Sequence, residues 1–133
     1  MPETSEICRE CWNRDALVAM IRRGEVWVAR LNPNQGAEVG KVRPVVVIQA
    51  DPLIQAGLAT VLVVPFTTQH RPGAEALRVP IPARDRLLRD SYAMAEQPRS
   101  LDRTRLSEGP LTSLTEAEMA ALEQALRWVM GLG

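Results

Sequence analysis

Arg43-Pro44-Val45-Val46-Val47-Ile48-Gln49 sets a run of β-branched residues directly behind an arginine and a proline. Such a run has no polar alternation, so it predicts a strand covered on both faces rather than one with a wet side. Thr60 to Phe66 (TVLVVPF) repeats the pattern. Upstream, Glu25-Val26-Trp27-Val28-Ala29-Arg30-Leu31 is equally β-rich and is stopped by Asn32-Pro33-Asn34-Gln35-Gly36, a turn cluster whose proline cannot donate to a ladder. Short segments around Leu77 to Ile81 and Tyr92 to Ala95 complete about five strands with no long helix between them. The expectation is an antiparallel sheet or small barrel.

Helix signals lie at the two ends. Thr115 and Glu118 have the spacing of a capping box, and Leu114 with Met119 that of a hydrophobic staple. Met119, Leu122, Leu126, Val129 and Met130 then share one face before Gly131, which predicts a C-terminal helix lying on the sheet. A shorter helical stretch is expected at Arg84 to Arg89. Ile7, Cys11 and Val18, with Trp12, predict a modest helix in residues 1–20, a segment read as an extension to a single domain spanning 21–133.

The 133 residues suffice for one core that removes roughly two-thirds of the unfolded surface from water. No apolar run approaches the ~20 residues of a membrane-crossing helix. The first fifteen residues lack the basic-then-apolar order of a secretion signal, so a reducing, cytoplasmic setting is expected. Sixteen basic and sixteen acidic residues cancel, but Arg22, Arg23, Arg30, Lys41 and Arg43 cluster in one stretch and Arg99, Arg103 and Arg105 in another. A locally basic face is therefore compatible with a neutral chain. Cys8 and Cys11 have the C-x-x-C spacing without a second pair to close a zinc site. His70 is the single histidine, which excludes a two-histidine ribonuclease and any His-rich metal centre.

Three polar groups interrupt the apolar strands. Glu38 to Arg43 (EVGKVR) is a Gly-containing turn that delivers Arg43 and Pro44 to the mouth of a buried strand. Thr67-Thr68-Gln69-His70 stands where TVLVVPF emerges, which holds hydroxyls and an amide on a rigid strand end. Glu96-Gln97-Pro98-Arg99-Ser100 again follows a strand.

Taken in order, Arg23-Gly24-Glu25-Val26-Trp27, Asn32-Pro33 with Gly36 and Glu38, Arg43-Pro44-Val45-Val46-Val47, Pro65-Phe66-Thr67-Thr68-Gln69, Arg89-Asp90-Ser91, Glu96 to Asp102 and Arg105-Leu106 resemble the MazF/PemK family of toxin endoribonucleases. The resemblance runs from about Arg22 to Leu132 and leaves residues 1–20 uncovered. It implies a mainly β fold with helices, an SH3-like curved β-barrel carrying a C-terminal α-helix. It also implies a homodimer, a cognate antitoxin as partner, and cleavage of single-stranded RNA with neither metal nor other cofactor. By the same resemblance Arg43 is the catalytic arginine and Thr67 the catalytic hydroxyl residue. Glu38, Gln69, Gln97 and Arg99 match positions in or around the RNA groove, with Lys41, Thr68 and Glu96 as supporting residues. Some members carry an arginine two residues before the acid at Glu96; here that residue is Met94.

Metal-free cleavage by the ribose 2′-OH requires removal of its proton, stabilisation of the equatorial phosphate oxygens, and protonation of the leaving 5′-oxygen. An arginine suits the second task, since its guanidinium donates bidentately to phosphate and keeps its charge. The same fixed charge makes it an awkward general base, so Glu38, Glu96 and His70 stand as alternatives. Two competing readings of the chain are a CcdB-type toxin that acts by protein contact alone and a catalytically silent barrel that binds RNA or a partner.

Overall fold

The computed structural model describes residues 21–31 and 41–133. The helix read in residues 1–20, the turn at Asn32 to Gly36 and the site candidate Glu38 lie outside the described residues. Seven strands follow in order: β1 (Glu25–Arg30), β2 (Val42–Val47), β3 (Thr60–Thr67), β4 (Arg78–Ile81), β5 (Ser91–Met94), β6 (Arg99–Asp102) and β7 (Leu106–Ser113). Two helices accompany them, α1 (Asp51–Gln55) and α2 (Glu116–Met130). Every strand pair is antiparallel, in the spatial order β4-β5-β3-β2-β1-β7, with β6 added beside β3. The path does not return on itself among the described residues, so the expected barrel is an open one.

β3 organises this arrangement. One of its edges takes β2, through Val45↔Pro65, Val46↔Val64 and Val47↔Val63. Its other edge takes β6 along Thr60 to Val63 and then β5 at Phe66 and Thr67. Pro65 has no N–H to offer and stands where that second edge changes partner, a place where a missing donor costs least.

The two valine-rich runs are buried on both sides, as their composition predicts. Val46, Val64 and Phe66 join a cluster with Val79, Ile81 and Ala93, covered by Leu122, Ala125 and Leu126 of α2. Val45, Val47, Val61 and Val63 join a second cluster with Trp27, Leu101 and Leu106, closed off by Ile21 and by Ile54 of α1. Period-two alternation sends neighbours on one strand to different cores, so each position of the run has apolar contacts. Each fully buried valine contributes about 1.5–3 kcal/mol of transfer free energy.

α2 begins with both halves of the capping box: the Glu118 amide donates to Thr115 Oγ1 at 3.1 Å, and the Thr115 amide to Glu118 Oε1 at 2.9 Å. It ends at Gly131, whose φ of +70° is the left-handed cap that glycine accepts without strain. The buried face is narrower than its periodicity predicts. Leu122, Ala125 and Leu126 are covered, whereas Trp128, Val129 and Met130 on the last turn are exposed. Arg23 clamps the helix from the other side through a 2.7 Å ion pair with Glu123, while its amide donates to Asp51 at the start of α1.

The helix expected at Arg84 to Arg89 does not form. Asp85 adopts a φ of +51°, and Arg84 and Leu87 exchange backbone hydrogen bonds as an isolated bridge, so tertiary ties override a helix-compatible spacing. α1, β6 and β7 were not anticipated from the residue pattern.

Candidate active site

β2 begins where β3 ends. Continued by two residues beyond Val45↔Pro65, their register sets Arg43 across from Thr67. The strands remain close there, since Arg43 Nη1 donates to the Phe66 carbonyl at 3.3 Å. That bond uses one of the five guanidinium N–H donors and fixes the side chain against the strand that carries the threonine. Thr67 is itself 8% exposed, and its Oγ1 accepts the Gln69 amide at 3.2 Å. With a lone pair thus occupied, the hydroxyl proton is directed to other acceptors.

Both residues line a groove of about 380 Å³. Its wall includes Lys41, Val42, Arg43 and Pro44 from the start of β2, and Phe66, Thr67 and Thr68 from the end of β3. The loop between β4 and β5 supplies Arg86, Leu87, Leu88 and Arg89, β5 supplies Ser91, and β7 supplies Leu111. Four of these side chains are cationic and none is acidic. Lys41 holds a φ of +67° at the entry to β2.

The structure thus brings together Lys41, Arg43, Thr67 and Thr68. Gln69 is exposed just beyond them. Glu96, Gln97 and Arg99 do not line the groove. They lie on the connection from β5 to β6 and at the start of β6, where Arg99 pairs with Val63 in mid-β3. Glu96 is engaged there by Arg78, through Nε to Oε1 at 3.2 Å and Nη2 to Oε2 at 2.5 Å. Gln97 directs its amide at Met94 Sδ, and Met94 is buried. His70 is exposed beside Tyr92, with ring centroids 5.6 Å apart, and faces Glu75 at 4.0 Å.

Arg86, Leu88 and Leu111 are groove residues that carry no strand-end signal in the sequence. The visible signal was the charge-dense string Arg84-Asp85-Arg86-Leu87-Leu88-Arg89-Asp90 between two strands. Its first arginine faces away from the groove into α2, donating to Glu118 and to the Ser113 carbonyl. Glu118 sits below the usual carboxylate range chiefly because Arg84 hydrogen-bonds it, with the Thr115 amide adding to the effect and burial opposing it. Arg84 is pushed up by the same bond.

A family model described as "PemK-like, MazF-like toxin of type II toxin-antitoxin system" matches residues 22–130. The chain belongs to this family. Within the PemK/MazF-like toxins, it is 41% identical over 114 residues to "Endoribonuclease MazF" of Staphylococcus epidermidis, covering 85% of this chain and 93% of the relative. Solved structures share the fold. MazF of Deinococcus radiodurans superposes with a TM-score of 0.72 at 21% identity, over 84% of this chain and 96% of that one. Mycobacterium tuberculosis toxin MazF-mt6 gives 0.67 at 23% identity, over 82% and 98%. A mycobacterial endoribonuclease in complex with its cognate antitoxin gives 0.67 at 23% identity, over 85% and 97%. Among the described residues no helix is long and apolar enough to cross a membrane.

Proposed function

We propose that this PemK/MazF-like toxin is an endoribonuclease that cleaves single-stranded RNA by internal attack of a ribose 2′-oxygen, with Arg43 and Thr67 stabilising the reacting phosphate. The observation that carries this reading is that Arg43 and Thr67 line one groove whose described wall is cationic, with Arg43 donating to the Phe66 carbonyl directly before Thr67. The 41% identity to an endoribonuclease supports the reaction class and weighs against a toxin that only binds protein.

In the reaction the 2′-oxygen bonds to phosphorus and the bond from phosphorus to the 5′-oxygen breaks. The products are a 2′,3′-cyclic phosphate and a 5′-OH. The 2′ proton goes to a general base, and the leaving 5′-oxygen takes one from the protonated base or from water. Arg43 and the Thr67 hydroxyl donate to the equatorial oxygens where charge accumulates, and a preorganised charged donor such as Arg43 is worth roughly 10²- to 10³-fold in rate. Neither role needs a metal ion. Of the alternative bases, Glu96 is tied to Arg78 outside the groove and His70 stands among exposed residues beyond it, which leaves Glu38 as the favoured base. A single strand is the suitable substrate because in-line attack needs a splayed backbone that an A-form duplex denies.

The remaining parts of the reading follow from the family. The toxin acts in the cytoplasm as a homodimer and is restrained by a cognate antitoxin, whose acidic segment would occupy the cationic groove and exclude RNA. The catalytic domain is residues 21–133, and residues 1–20 are an extension that cleavage does not require. Incubating the purified protein with a long single-stranded RNA tests the proposal: cleavage that Arg43→Ala abolishes supports it, and RNA left intact by the parent protein refutes it.

A further inference from the structure

The loop Arg84-Asp85-Arg86-Leu87-Leu88-Arg89-Asp90 is mixed in charge along the chain but sorted in space. Asp85 accepts the Thr112 hydroxyl at 2.7 Å, and Asp90 accepts the Ala83 amide at 2.7 Å. Arg84 is spent on Glu118. None of these three lines the groove, whereas Arg86 and Arg89 both do. The chain therefore turns each acid of the loop toward a hydroxyl or backbone donor and presents two of its three arginines to the cavity that holds Arg43 and Thr67.

The loop is also held in place before any ligand arrives. The Arg86 amide donates to the Leu111 carbonyl at 3.0 Å, and Arg84 and Leu87 exchange hydrogen bonds of 2.9 Å each. The Arg86 guanidinium lies along β7, with Nη1 reaching the Pro110 carbonyl at 3.5 Å. Between the two arginines Leu88 is 84% exposed, and Val42, across the groove mouth in the chain's β2, is 62% exposed. A fixed wall that alternates cation and apolar surface matches a strand that alternates phosphate and base.

We infer that Arg86 and Arg89 are phosphate-binding residues for RNA, gripping backbone phosphates that neighbour the one Arg43 and Thr67 act upon. This rests on the reading of the site as a ribonuclease centre. It assigns the loop to substrate affinity rather than to the chemical step, since the pair at the strand ends already serves the reacting phosphate.

Each phosphate contact on a single strand contributes about 0.7 to the slope of log affinity against log salt. RNA binding would be titrated over a range of salt in an Arg43→Ala background, with Arg86→Gln, Arg89→Gln and Arg86→Lys added singly. Arg127→Gln, on the last turn of α2, is the control. The expected result is a slope shallower by about 0.7 for each glutamine variant, an unchanged slope for Arg86→Lys and for the control, and in the otherwise native enzyme a raised KM with kcat within about twofold. Melting temperatures would establish that the variants fold. Slopes for both glutamine variants equal to the parent's would overturn the inference even while the native enzyme cleaves RNA. Failure of the native enzyme to cleave would instead overturn the ribonuclease reading, and the slopes would still decide whether the loop grips RNA.

Discussion

Glu118 Oε1 accepts two donors at once, Arg84 Nη2 at 2.5 Å and the Thr115 amide at 2.9 Å, so one carboxylate both starts α2 and anchors the loop that walls the groove. The fold and the site share a residue that does not line the groove. Glu118→Gln keeps the shape but removes the charge, and hydrogen bonds to charged groups are worth about 1.5–3 kcal/mol when broken. Partial exposure of the pair places the expected loss toward the lower end. Denaturant melts of the two proteins measure it, and equal midpoints would show that the pair contributes nothing.

The same carboxylate predicts a dependence on pH. Its folded-state pKa is held below the ordinary carboxylate value by Arg84, so the unfolded chain binds the proton more readily. The contribution is complete above the ordinary carboxylate range and is lost as pH falls through the lowered folded value. Thermal melts taken downward from about pH 6 should show part of the acid destabilisation of the parent missing in Glu118→Gln. Parallel curves for the two proteins would contradict the assignment.

Gly109 lies against the indole of Trp27, and a Cβ at that position would overlap the ring. Trp27 is fully buried in the second core and cannot swing away. Gly109→Ala should therefore destabilise by about 1–3 kcal/mol, the usual cost of overpacking. A melting temperature equal to the parent's would mean that β7 can shift from β1 more freely than its pairing indicates.

Arg43→Ala should lower kcat by at least about 10²-fold, with a smaller loss of RNA affinity, because the charge acts on the transition state. Arg43→Lys should also be impaired, since an ammonium lacks the planar fork. Thr67→Ala removes one neutral hydrogen bond, about 1 kcal/mol or roughly fivefold in rate. Initial rates on a labelled oligonucleotide check all three. A Thr67→Ala enzyme as active as its parent would transfer the hydroxyl role to Thr68.

What the residues disclosed in advance follows from how local their signals are. The runs Val45 to Val47 and Val61 to Val64 are unambiguous because both sheet faces are covered, and α2 is legible from its caps. β7 was opaque: Leu106–Ser113 contains Gly109 and Pro110, and its pairing with β1 shifts register between Val26 and Val28, so no clean alternation survives. The site divided in the same way. Arg43 and Thr67 were readable as polar residues at the ends of buried strands. Arg86 and Arg89 were not, since their direction depends on Asp85 reaching Thr112 and on Arg84 reaching Glu118, contacts 27 and 34 residues apart in the chain. Glu96 followed a strand as Thr67 does, but the fold gave it to Arg78.

The central claim is internal attack by the 2′-oxygen, with protein donors supplying the charge. End-group analysis of a single-stranded RNA cut by the purified protein in the presence of EDTA tests it most directly. The account predicts undiminished cleavage that leaves a 2′,3′-cyclic phosphate and a 5′-OH, and resistance of a substrate with a 2′-deoxy sugar at the cut. A 5′-phosphate end, or loss of activity in EDTA that added divalent metal restores, would contradict it.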